Sequence, residues 1–150
     1  MKKTICVVLL MVFFAVPAAA AEGVIEVPSG FDVQETADRL ESILLERGMT
    51  IFIRVNHSAA AEEVGIKLRN TELIIFGNPK VGSPLMQCQQ SVAIDLPQKA
   101  LVWEDAKAQV WISYNDPRYL EKRHGISGCE DVIAKIEKVL ADIAQLAATK

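Results

Sequence analysis

The chain has 150 residues, 51% apolar and 23% charged, which suits one globular domain and leaves little room for a second. A formal net charge of −3 and a pI near 5.4 exclude the clustered Lys and Arg of a nucleic-acid footprint. Six prolines and eight glycines without repeats or low-complexity tracts exclude a collagenous, repetitive or mainly disordered chain.

The first 21 residues read as an export signal. Lys2 and Lys3 precede an unbroken apolar run from Ile5 to Val16, closed by Pro17 and four alanines. A membrane-spanning helix needs about 20 apolar residues, and this run is shorter. A basic start, a short apolar run and an Ala-x-Ala end describe a cleavable secretory signal, with cleavage expected after Ala20 or Ala21. The domain expectation is therefore a signal over 1–21 and one domain over 22–150. Without Lys2 and Lys3, 14 Lys and Arg face 19 Asp and Glu, a net charge of −5. A bacterial periplasmic or secreted location follows, with no membrane association after cleavage. Cys88 and Cys129 are the two cysteines that remain, both in an oxidising compartment.

The mature chain alternates strand and helix patterns. Residues 23–27 (GVIEV) read as a strand, and Pro28-Ser29-Gly30 as a break. Asp32 with Glu35 forms a capping box for a helix whose stripe is Val33, Ala37, Leu40 and Leu44, ending at Gly48. Residues 49–56 are β-branched and alternating, hence a strand; 57–65 are a small-residue connection of one or two helical turns. Residues 72–76 (ELIIF) are short and apolar, as in a central strand.

That strand runs into a Gly77-Asn78-Pro79-Lys80 loop. Ser83 as cap and Pro84 as first residue then open a two-turn helix. Residues 100–104 and 109–114 form a hairpin across the 105–108 turn. Asp116-Pro117 opens a short helix that Gly125 closes. Ser127 and Glu130 make a capping box for a long last helix to about Thr149, striped by Ile133, Ile136, Leu140, Ile143 and Ala147. The expected fold is α+β: two layers, about five mainly antiparallel strands, and helices mainly on one face. The hairpin leaves no room for the crossover that a doubly wound parallel sheet needs. No Gly-rich phosphate fingerprint, HExxH, CxxC or GxSxG occurs.

The segment from Leu73 to Met86 (LIIFGNPKVGSPLM) resembles the bacterial family of domain of unknown function 302. Ile94-Asp95-Leu96-Pro97 with Lys99, Tyr114-Asn115-Asp116-Pro117 and Arg123-His124-Gly125 agree in order, and His57 falls where that family also has a histidine. The turn Asp105-Ala106-Lys107-Ala108 departs from it, because members usually show a glycine there. The resemblance implies an α+β fold like a single TATA-binding-protein repeat, a homodimer and no established reaction. DNA binding does not follow from such a fold.

Two histidines occur, His57 and His124. Together they suggest a transition-metal or proton-transfer pair, with Asp95 or Asp116 as orienting carboxylate. The plainer alternatives are a helix-end imidazole for His124 and a strand-end hydrogen bond for His57. Asn78 and Lys80, after a central strand, suggest an anion site; a simple turn is the alternative. Trp103 and Trp111 belong to the core or to a dimer surface. Cys88 and Cys129 form a disulfide, or Cys129 is a reactive thiol at a helix start, or both are merely buried.

Three functions remain open. The first is a periplasmic module that binds or senses a small anion or metal through His57, Asn78, Lys80, Asp95, Asp116 and His124. The second is a hydrolase- or isomerase-like enzyme using His57 or His124 as acid or base. The third is a ligand-free dimer that binds a partner. No organic cofactor is implied.

Overall fold

The computed structural model describes residues 21–150, so the export signal read over 1–21 lies almost wholly outside the described residues. Five strands form one sheet: β1 (Val24–Ser29), β2 (Thr50–Asn56), β3 (Thr71–Gly77), β4 (Gln98–Glu104) and β5 (Val110–Asn115). Their spatial order is β1-β5-β4-β3-β2. Every neighbouring pair is antiparallel. Helices α1 (Val33–Glu46), α2 (His57–Glu63), α3 (Pro79–Cys88), α4 (Pro117–His124) and α5 (Glu130–Ala148) complete the α+β layout, with a 3-10 segment over Gln90–Ile94.

Alternation along the strands divides the sheet into two faces. Ile74, Phe76, Ala100, Val102, Ile112 and Tyr114 point into the core. There they meet the expected stripes of α1 (Val33, Ala37, Leu40, Leu44) and α5 (Ile133, Ile136, Leu140, Ile143, Ala147). Leu73, Ile75, Leu101, Trp103 and Trp111 alternate to the opposite face and are half-buried. The indole N–H of Trp103 donates to Ser113 Oγ at 2.7 Å.

Glu72 points to the core side of β3 with a side chain only 10% exposed, and Arg54 of β2 answers it at 2.6 Å. Arg54 also reaches Asp38 at 2.5 Å and Glu41 at 3.2 Å on α1. Burial works against the Arg54 charge, but hydrogen bonds to Glu72, Asp38 and Glu41 outweigh it and hold its pKa above the ordinary arginine value.

Two expected helix starts are corrected. The segment after β3 is helical from Pro79, because Asn78 Oδ1 accepts the Lys80 N–H and Pro79 supplies a preset first residue; Ser83 and Pro84 lie inside α3. Ser127 does not cap α5: Cys129 occupies the cap position, and the Glu130 carboxylate reaches back to the Gly128 N–H at 2.9 Å. The 105–108 turn holds Ala108 at φ 61°, a left-handed position that a glycine would occupy without steric cost. Asp105 Oδ1 secures this turn by accepting the N–H groups of Lys107 (2.7 Å) and Gln109 (3.0 Å). Elsewhere the expected caps hold. Asp32 accepts from Glu35 N at 2.8 Å, and Gly125 ends α4 at φ 60°.

Candidate functional site

A cavity of about 480 Å³ opens between α3, α5, the 90–98 segment and the ends of β2 and β3. Its size lies within the ordinary range for small-molecule sites, about 300–1,000 Å³. The walls are apolar: Met49, Phe52, Phe76, Leu85, Met86, Leu96, Ile136 and Val139. The space has a local cause. A register shift between Ile51 and Ile53 interrupts β2, and Phe52 emerges there, 55% exposed. Opposite it stands Gly77, where a Cβ would meet the Phe52 ring at 3.4 Å and Pro97 at 3.6 Å. Any longer side chain at that position would fill the opening.

Arg47 and Lys135 also border the cavity, both exposed. Neither pairs with a carboxylate among the described residues. Gln98, whose side-chain oxygen is buried without a hydrogen-bond partner, completes the polar lining with Asn78 and Ser83. The result is an apolar space with positive charge at its edge. A disulfide from Cys88, at the end of α3, to Cys129, at the start of α5, ties two of its walls together with α-carbons 6.4 Å apart.

The residues singled out in the sequence fall into separate places. Asn78 is in the cavity wall, but both ends of its amide are used: Oδ1 caps α3, and Nδ2 donates to Gly48 O at 3.0 Å. Lys80 is exposed and does not line the cavity. Asp116 caps α4 by accepting from Arg118 N at 2.8 Å. His57 is the exposed first residue of α2.

The pairing of His57 with His124 is corrected. His57 follows Asn56, which pairs with Glu72, whereas His124 is bound to Asp95, which the chain carries just ahead of Gln98, the partner of Phe76. Four residues of β3 separate those levels, roughly 14 Å of strand. Among the described residues no three His, Cys, Asp or Glu side chains converge as a metal site.

His124 instead finds Asp95. His124 Nε2 lies 2.6 Å from Asp95 Oδ2, and Ser91 Oγ lies 3.1 Å from His124 Nδ1. The His124 side chain is 8% exposed and Asp95 13%. Arg123 Nη1 adds a second contact to Asp95 at 3.3 Å. Of the two carboxylates considered for orienting an imidazole, Asp95 is the one in position. Ser91 carries no sequence signal; an isolated serine in a polar stretch belongs to no motif. The cavity was equally hidden, and only the two small residues Gly77 and Gly82 among bulky neighbours hint at it.

The profile of a protein family, Domain of unknown function DUF302, matches residues 25–143. The chain belongs to this family. The crystal structure of an uncharacterized conserved DUF302 protein from Bacillus stearothermophilus superposes with a TM-score of 0.76, covering 85% of this chain and 99% of that one at 21% identity. This likeness is one of fold. Two curated relatives, each named Fluoride-specific ion channel FluC 1, come from Brucella suis and Brucella abortus. Each is 44% identical to this DUF302 chain over 113 residues, 75% of its length. The matched part makes up 44% of the first relative and 42% of the second, so the chain spans less than half of either.

Proposed function

We propose that this DUF302 domain is a binding module for a small amphipathic anion, with the apolar body in the cavity and the charged group at Arg47 and Lys135. The apolar cavity edged by two unpaired cations carries this reading. Burying each ligand methylene contributes up to about 0.8 kcal/mol, and an exposed cation pairing with the head group adds up to about 1 kcal/mol. This reading puts the anion at Arg47 and Lys135 instead of Asn78 and Lys80, since both ends of the Asn78 amide are already used and Lys80 does not line the cavity. The export signature in the sequence supports a periplasmic setting. In the Brucella relatives a domain of this kind is part of a longer protein named a channel. Here no helix among the described residues is long and apolar enough to cross a membrane.

The test is titration with hexanoate, octanoate and decanoate, read by displacement of anilinonaphthalene sulfonate. Kd should fall about three- to four-fold per methylene. Ala93 is exposed and lines the cavity, so Ala93→Trp should block binding without unfolding the domain. Equal affinity across the series, or unaltered binding in Ala93→Trp, would refute the reading.

A further inference from the structure

We infer that Ser91 is an activated nucleophile, with His124 as its general base and Asp95 as the residue that positions the imidazole. This site is distinct from the cavity and does not depend on what the cavity binds. An ionised carboxylate only accepts hydrogen bonds, so the 2.6 Å contact requires the proton of His124 on Nε2. In the neutral imidazole that leaves Nδ1 bare, with its lone pair facing Ser91 Oγ at 3.1 Å. The hydroxyl proton is thus aimed at a base whose tautomer is fixed from behind. Serine hydrolases use the same division of roles, here with the two ring nitrogens exchanged.

The surroundings agree with that assignment. Arg123 Nη1, 3.3 Å from Asp95 Oδ1, gives that carboxylate a second partner beside the imidazole. The imidazole is shielded, 8% exposed, whereas Ser91 stands on the exposed side of the 3-10 segment, open to a substrate. The sequence brings the pieces from two places: Ser91 and Asp95 from the 90–96 stretch, His124 from the end of α4. The Asp95 and His124 stretches are both among the motifs singled out in the sequence, and no cavity residue makes use of that meeting.

The chemical class is acyl transfer from a carboxylic ester to water. Ser91 Oγ bonds to the ester carbonyl carbon as its proton passes to His124 Nδ1. The bond from that carbon to the alkoxy oxygen then breaks, and the departing alcohol takes the proton from His124. Water next adds to the acyl carbon, giving its proton to Nδ1. The acid leaves as the Ser91 Oγ–carbon bond breaks and Oγ recovers the proton.

A fluorophosphonate probe tests this on the full mature protein, because phosphonylation of the serine with loss of fluoride is permanent and can be mapped by peptide mass spectrometry. Labelling is expected at Ser91 above every other serine. It should be absent in Ser91→Ala, which removes only an exposed hydroxyl, and at least 100-fold slower in His124→Gln. For Asp95→Asn, nitrogen-15 spectra of the histidine ring should lose the preference for a bare Nδ1, a change that loss of packing alone would not produce. Ser91 labelling no faster than that of other serines, or unchanged in His124→Gln, would overturn the assignment. So would a wild-type spectrum with the proton on Nδ1.

Discussion

Reducing the Cys88–Cys129 disulfide should weaken the fold and the cavity together. The bond joins residues 41 apart in sequence, one at the end of α3 and the other at the start of α5. Closing a loop of that length in the unfolded chain costs entropy worth about 4 kcal/mol at 25 °C. A domain of this size has a total stability of about 5–15 kcal/mol, so the bond is a large part of it. With a urea slope of about 2 kcal/mol per molar, the midpoint should fall by about 2 M on reduction or in the Cys88→Ser, Cys129→Ser double variant. The slope itself should rise, because the uncrosslinked chain exposes more surface when unfolded. Val81, Leu85 and Met86 of α3 face Ile136 and Val139 of α5 across the cavity, so the reduced protein should also bind anilinonaphthalene sulfonate less tightly under native conditions. Urea melts with and without reductant, followed by circular dichroism, provide the measurement. Coincident midpoints would show that the cross-link does not limit the unfolded chain, and unchanged dye affinity would show that the two helices hold the cavity without it.

Arg54→Met should destabilise the domain by about 2 kcal/mol, below the 3–5 kcal/mol of a fully buried pair because Arg54 is 25% exposed; adding Glu72→Gln should restore most of the loss in a double-mutant cycle by urea melts. Ala108→Gly should stabilise by up to about 1 kcal/mol, since the left-handed position strains a Cβ, and thermal melts check it. Asp105 is held below the usual carboxylate range, chiefly by the Gln109 N–H and then the Trp111 indole N–H. Its contribution is therefore complete above the unfolded pKa of about 3.9 and disappears as pH falls through the lower folded value. In Asp105→Asn, acid melts should lose that part of the pH dependence, and an unaltered acid profile would argue against it.

Much of the fold was legible because its elements obey local rules. The apolar stripes of α1 and α5 at helical spacing all proved buried, alternation over 49–56 marked β2, and the hairpin read over 100–104 and 109–114 is β4 and β5. Reading failed where two residues compete for one cap. Asn78-Pro79 and Ser83-Pro84 are both good helix starts, and the first prevailed because Asn78 also anchors to Gly48 O, 30 residues away, a contact that no local pattern encodes. Ser127 lost its expected role for a related reason: the Cys129 link to α3 fixes where α5 begins, and the Glu130 carboxylate then turns to Gly128.

The site was legible in its residue types and illegible in its grouping. Histidines and carboxylates stand out in any sequence, but whether two meet depends on strand order. Antiparallel pairing of β2 with β3 and of β3 with β4 sends His57 to one end of the sheet and Asp95 to the other. The same register gives the 90–98 segment two faces. Ala93 and Leu96 look into the apolar cavity, while Ser91 and Asp95 look toward His124 on α4. Ser91 and Ala93 lie on different sides of the 3-10 turn over Gln90–Ile94, and Asp95 and Leu96 follow it, so a stretch without any recognisable motif borders both sites. Because the two faces share a backbone, a bulky substitution such as Ala93→Trp tests them separately only if Ser91 labelling survives it. Labelling is expected to survive, since the Ala93 side chain lines the cavity whereas the side chains of Ser91 and Asp95 bond to His124.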